Sequence, residues 1–159
     1  MSTKYVEEAK LTVDELISRP YQSMNPSDRV QHALNLVTMH FEAENVERIE
    51  ECIRLYTSDA EWEAPARKVN YKGPQKIKEM YISLFSSVED FEWTPISRWA
   101  TEDRVFDDAI ARFLLTSEGF ENAPFPVGTK VEMRLVHAFH IRDGLISKEV
   151  GYEVWSKAA

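Results

Sequence analysis

Between Val131 and Ile141 the chain alternates. Val131, Met133, Leu135, His137, Phe139 and Ile141 take one set of positions, and Glu132, Arg134, Val136, Ala138 and His140 take the other. Period-two alternation predicts a strand with one face buried, and His137 is the polar member of the buried set. Asp143-Gly144 reads as a two-residue hairpin turn leading into a final strand over Ile146 to Trp155. Pairing Ile141 with Ile146 and counting back puts His137 opposite Val150 with Tyr152 diagonally adjacent, so that Val150, Tyr152 and Val154 share the inward face. Upstream, Val105 to Thr116 forms another strand whose inward set is Asp107, Ala109, Ala111, Phe113 and Leu115; its alanines leave the kind of gap a ligand cavity needs. Phe91 to Trp99 alternates as well, with a bulge or a sheet edge implied at Pro95. Glu118 to Gly128 is a loop.

The first half of the chain follows a helical period. Asn25 and Pro26 read as a cap and first helical position, followed by Val30, Ala33, Leu34, Val37 and Phe41 up to about Glu44. A second helix is expected from near Asn45 to near Thr57, with Val46, Ile49, Ile53 and Tyr56 on one side. Asp59 to Pro65 alternates as a half-buried strand, and Gly73-Pro74 opens a third helix bearing Ile77, Met80, Tyr81, Leu84, Phe85 and Val88. Before Pro26, Thr12 and Glu15 have capping-box spacing ahead of Val13, Leu16 and Ile17. We therefore expect residues 1–26 to be an N-terminal helical appendage and residues 27–159 to be one pocket domain. Helices first and an antiparallel meander second is an α+β layout.

Composition narrows the partners. With 27 acidic against 19 basic side chains among 159 residues and a net charge of −8, a phosphate backbone or an anionic membrane is disfavoured as partner, so neither nucleic acid nor membrane is expected. Met1 to Lys10 has no apolar run and reads as neither a secretory signal nor an anchor. The single cysteine, Cys52, allows no internal disulfide and suits a cytoplasmic location; its apolar neighbours suggest a packing thiol.

The chemistry-bearing candidates are few. His137 suits a pocket acid, base or hydrogen-bond donor, since imidazole titrates near neutral pH, and it equally suits a core histidine bonded to Tyr152 or a backbone carbonyl. His40 flanks the apolar stripe of the first helix beside Phe41, facing the pocket or water. Asp107 points into the cavity mouth or stays solvated beside Asp108. Tyr152, Trp62, Tyr81, Phe113, Phe139 and Val150 are the candidate substrate-lining set, the aromatic ones among them equally serving as core. The sequence has no Gly-rich phosphate loop, no Gly-x-Ser-x-Gly elbow and no histidine pair at metal-ligand spacing, so neither a cofactor nor a metal is expected.

Several segments together resemble a family. They are Leu55-Tyr56-Thr57-Ser58-Asp59-Ala60-Glu61-Trp62, Tyr71-Lys72-Gly73-Pro74-Gln75-Lys76-Ile77, Val127-Gly128-Thr129-Lys130-Val131 and His137-Ala138-Phe139-His140-Ile141-Arg142-Asp143-Gly144-Leu145-Ile146. In this order they are similar to the SnoaL-like polyketide cyclases and ketosteroid isomerase-like proteins of the nuclear transport factor 2-like superfamily. The resemblance implies a cone-shaped, curved antiparallel sheet packed against three helices, a homodimer through the sheet, and cofactor-free acid–base chemistry. By position it places His137 where an isomerase-like protein has its oxyanion-donating acid, and His40 near the other donor. The isomerase's general-base carboxylate falls at Ala64, which disfavours ketosteroid isomerisation by that mechanism, since alternation turns Glu61 and Glu63 away from Ala64's side. The expected function is thus an acid–base enzyme of isomerase, cyclase or dehydratase type on a small, mostly apolar carbonyl or hydroxyl compound, with His137, His40 or Asp107 as the reacting group. A non-catalytic small-molecule binding or dimerisation module is the alternative, for which the missing base argues. Fold alone does not choose between them.

Overall fold

The computed structural model describes residues 11–159, so the reading of Met1 to Lys10 lies outside the described residues. Helix α1 (Val13–Ser18) opens on the expected capping box: Glu15 N–H donates to Thr12 Oγ1 (3.1 Å) and Thr12 N–H to Glu15 Oε2 (3.3 Å). Val13 and Leu16 enter the main core, so this helix packs on the body. Helix α2 (Pro26–Ala43) is capped by Asn25, whose Oδ1 accepts from Asp28 N–H at 2.9 Å.

The expected second helix is much shorter, α3 (Ile49–Ile53). Asn45 folds its side chain into a turn, accepting from Arg48 N–H and donating to Glu42 O, and Tyr56 already belongs to strand β1 (Tyr56–Ala64). After a 3₁₀ turn over Pro65–Arg67, Lys68 at φ 56° sends the chain back as β2 (Val69–Lys72), a strand too short to show a period in sequence. Gly73 at φ 87°, a conformation an L side chain resists, then starts α4 (Pro74–Phe85).

Strands β3 (Val88–Ala100), β4 (Arg104–Leu115), β5 (Lys130–Arg142) and β6 (Leu145–Lys157) form a meander, and the six-stranded sheet runs β2-β1-β6-β5-β4-β3. All neighbours are antiparallel except β1 and β6. Register shifts in β1, at Glu89/Glu92 and Pro95/Ser97 in β3, and at His140/Ile141 bend the sheet around the helices, and the Pro95 irregularity is where the sequence implied one.

The hairpin corrects the expected register. Ile141 does face Ile146, but His140 faces Lys148, so Ser147 is an extra residue and everything beyond it is displaced by one. His137 consequently lies opposite Gly151, and Val150 opposite Ala138 on the other face. Because strand side chains alternate, one added residue exchanges the two faces: Glu149, Gly151 and Glu153 turn inward, while Tyr152 (53% exposed) and Val154 turn out. On β4, Asp107, Ala109, Ala111, Phe113 and Leu115 are all buried, the set the alternation indicates. Two apolar clusters fill the concave side: one joins α2, α4 and β1 to Phe139, Ile141 and Ile146, and the other gathers Phe113, Phe120, Met133 and Leu135. Among the described residues no helix is long and apolar enough to cross a membrane.

Candidate functional site

Where the two clusters meet, β6 carries Glu149 into the interior, fully buried. Its Oε2 accepts from Tyr56 Oη (2.5 Å) and Tyr81 Oη (3.0 Å) and shares a proton with His40 Nε2 (3.0 Å). Each partner comes from a different element, α2, β1 and α4, so the carboxyl is a polar rivet through the core. Its Oε1 has no hydrogen bond and lies 3.6 Å from His137 Nε2 on β5. The Trp62 indole N–H faces the same carboxyl without reaching hydrogen-bond geometry. Burial drives the Glu149 carboxyl up to about 7 against the pull of its donors. Burial likewise pushes the imidazoles of His137 and His40 down to about 3, with the Arg98 guanidinium acting in the same direction on both. The site at neutral pH is therefore two neutral imidazoles around a carboxyl poised between its protonation states.

Of the two histidines, His137 is the one that reaches open space. It lines a cavity of about 50 Å³, walled by Trp62, Tyr81, Trp93, Phe113, Leu135 and others, with Glu44 and Glu153 at its polar ends. Its Nδ1 is buried without a hydrogen-bond partner, and its Nε2 faces Glu149. A void of that size holds about one or two waters. A wider cleft of about 250 Å³, lined by Thr38, Phe41, Glu44, Phe91, Trp93 and Arg98, adjoins it, and Glu44, Phe91 and Trp93 line both. Phe91 and Trp93 stand on edge strand β3 next to a bulge, so they form the partition a larger ligand has to displace. At the far end Glu153 is held by Arg67 Nε (2.8 Å), a buried ion pair whose guanidinium also lies over Phe120.

The candidates from sequence distribute unevenly over this geometry. His137 and His40 come together around Glu149, and Trp62, Tyr81 and Phe113 line the cavity. Asp107 is the cross-strand neighbour of His137, yet it is engaged by Arg98 Nε at 2.7 Å, which in turn donates to Thr38 Oγ1. Asp107 is thus neither solvated nor facing the cavity mouth. Phe139 sits edge-on beneath His40 (centroids 5.2 Å apart) and Val150 lies on the face opposite His137, so both are core rather than lining. Tyr152 is outside, and the alternative of a His137–Tyr152 hydrogen bond falls with it. Sequence reasoning missed Glu149 and Tyr56: the Ser147 bulge hides the first, and the helical period carried past its true end hides the second. Among the described residues no group of three or more His, Cys, Asp or Glu is arranged to hold a metal ion.

A buried carboxyl among histidine and tyrosine side chains, deep in a cone of bent sheet and helices, narrows the comparison with known proteins. The model of the SnoaL-like domain matches residues 37–149, most of the described chain. The chain belongs to the SnoaL-like family. Solved structures agree on the fold. An NTF2-like protein from Burkholderia xenovorans LB400 superposes with a TM-score of 0.66 at 18% identity, over 83% of this chain and 93% of that one. A candidate polyketide cyclase from Xanthomonas campestris pv. campestris gives 0.58 at 18% over 78% and 91%. A hypothetical protein of ketosteroid isomerase-like fold from Catenulispora acidiphila, in complex with trimethylamine, gives 0.57 at 18% over 74% and 83%. Identities this low establish the fold alone. A search of curated sequences returns no significant match. Ala64, the position to which the sequence resemblance assigns the isomerase's general base, is fully buried, with Glu61 and Glu63 turned to Lys72 and Lys148. A carboxyl enters the interior from β6 instead.

Proposed function

We propose that this SnoaL-like protein is a cofactor-independent acid–base enzyme of the isomerase, cyclase or dehydratase type, acting on a small, mostly apolar carbonyl or hydroxyl compound. The observation that carries the reading is His137 between an unpartnered Glu149 oxygen and an aromatic cavity, with its second ring nitrogen free. In the reaction His137 Nδ1 takes a proton from carbon next to the substrate carbonyl, and the C–H electron pair moves into an enolate. Glu149 Oε1 takes the Nε2–H as this happens, so that no imidazolium charge is left buried, while the Trp62 indole N–H offers a donor to the enolate oxygen. Returning the proton to another carbon of the enolate gives an isomer; attack of the enolate carbon on a second carbonyl of the substrate closes a ring, with the proton returned to the new alkoxide; and returning it to a departing β-hydroxyl releases water. A neutral base at such a site contributes about 10²–10⁴-fold.

The aromatic walls favour flat apolar substrates, and a relative was crystallised with a small molecule, trimethylamine. The cytoplasmic setting is supported by a lone, buried cysteine, and a homodimer through the outer sheet face by the exposed Trp99, Tyr152 and Val154. The test is exchange of α-hydrogens for deuterium in a panel of small cyclic and aryl ketones, followed by NMR. Wild type should accelerate exchange for at least one compound, and His137→Gln, folded by circular dichroism, should lose about 10²-fold or more of that rate. Binding of the panel without exchange would instead favour a non-catalytic module.

A further inference from the structure

Two buried carboxylate oxygens without hydrogen bonds each lie against an imidazole nitrogen at the same separation. Glu149 Oε1 is 3.6 Å from His137 Nε2, and Glu44 Oε2 is 3.6 Å from His40 Nδ1. Between them, Glu149 Oε2 and His40 Nε2 are in hydrogen-bond contact at 3.0 Å. The result is an unbroken alternation of carboxyl and imidazole from the cavity to the residue that follows α2. We propose that Glu44, His40, Glu149 and His137 form a proton relay, with Glu44 as the port that exchanges protons with solvent and resets His137 between turnovers. The proposal rests on the reading of His137 as the reacting base.

Position singles out Glu44 as the port. It caps α2, lines both the inner cavity and the outer cleft, and keeps 23% of its side chain exposed, whereas the side chains of His40 and Glu149 are fully buried. Unpartnered buried oxygens are rare enough in folded proteins to need a reason, and acceptance of a proton in passing supplies one. The steps balance. Once His137 Nδ1 has taken the substrate proton, its Nε2–H moves to Glu149 Oε1. The Glu149 Oε2 proton moves to His40 Nε2, the His40 Nδ1 proton moves to Glu44 Oε2, and Glu44 gives it to water. Each inner member gains one proton and loses one, so no charge stays buried, and the reverse traffic recharges His137 when it acts as an acid. The two 3.6 Å links have to shorten by roughly half an ångström to reach hydrogen-bond length.

The other groups around the path hold their protons or their charge. Burial pushes the phenols of Tyr56 and Tyr81 and the thiol of Cys52 well up, so they stay neutral donors, and the Cys52 S–H, 3.7 Å from His40 Nδ1, donates to His40 O. Arg98 and Asp107 are bound to each other. The same environment raises the Glu44 carboxyl well above its ordinary value, chiefly by burial, with Glu149 and Asp107 adding to it, so that it holds an arriving proton more readily than a free carboxylate does.

The experiment needs no substrate. In protein labelled with ¹⁵N at histidine, water exchange of the ring N–H protons of His40 and His137 is measured by NMR in wild type, Glu44→Gln and Glu44→Ala. The relay predicts exchange at least tenfold slower in both variants with unchanged secondary structure, and recovery in Glu44→Ala on adding formate. Unchanged exchange, or slowing that formate does not relieve, would overturn it. Should these variants fail to fold, Glu44→Asp keeps the carboxyl at shorter reach: slower exchange supports the relay and an unaltered rate contradicts it. Slow exchange alongside absent ketone turnover strikes only the assignment of His137 as base, whereas His137-dependent turnover with exchange indifferent to Glu44 strikes only the relay.

Discussion

Glu149 meets two opposed demands. Burial favours its neutral form, while the Tyr56 and Tyr81 hydroxyls and the nearby Trp62 indole favour the ionised form, and the outcome is a carboxyl lifted to about 7 rather than frozen in either state. If His137 is the base, as proposed, such a group behind it tunes an imidazole whose own ionisation is suppressed. The linkage has a definite sign. His137 is held near 3 when folded, against 6.5 for the free side chain, so the unfolded chain binds the extra proton between those values and folding loses stability as pH falls through that window. His137→Gln removes this dependence. Denaturant melts should show the stability of wild type relative to the variant dropping by about 1.4 kcal/mol per pH unit between about pH 6 and 4; a pH-independent difference would mean that His137 titrates normally. His137 was legible in sequence because it interrupts an otherwise apolar inward stripe. Glu149 was not, since alternation counted from the hairpin turn assigns it to the wet face and nothing in the residues near Ser147 announces the bulge.

At the scale of elements, the site depends on irregularities more than on regular structure. Ser147 is the inserted residue that turns Glu149 inward and Tyr152 outward, and its Oγ donates to His140 O at 3.2 Å. Deleting it while keeping Asp143-Gly144 should remove the bulge yet leave the pairs beyond it in place, His140 with Lys148 and His137 with Gly151, so that Glu149 stays inward with its partners on His40, Tyr56 and Tyr81. Urea melts of the deletion variant should then fall within about 1 kcal/mol of wild type, and a loss of more than about 3 kcal/mol would show that the bend at the bulge itself holds the core together. The hairpin turn, the Pro95 irregularity and the helix caps at Thr12 and Asn25 could be read from residues because each depends on local chemistry. The length of α3 and the existence of β2 could not: the first is cut by a competing side-chain turn at Asn45, and the second exists only by pairing with β1.

For the whole molecule, the order of helices and strands in sequence was enough for an α+β sheet-and-helix layer, because, β1 and β2 apart, the helices come before Phe85 and the strands after it. What the layers enclose was less legible, since the cavity depends on long-range register. The outer sheet face carries Trp99 stacked on Phe106, with Ile96, Tyr152 and Val154 also exposed, an apolar surface suited to burial against a second copy. Light scattering at micromolar concentration should give twice the 18.5 kDa chain mass, and Tyr152→Lys combined with Val154→Glu should return it to the monomer; a monomer mass for wild type would refute the dimer. The central claim is that His137 and Glu149 act as one acid–base unit at the cavity. It is tested most directly by a double-mutant cycle on the rate of α-deuterium exchange, using wild type, His137→Gln, Glu149→Gln and the double variant. Groups acting as a unit lose together, so each single change should lower the rate by about 10²-fold or more and the double variant should be no slower than the slower single. Losses that multiply in the double variant, or a Glu149→Gln rate equal to wild type, would contradict the account.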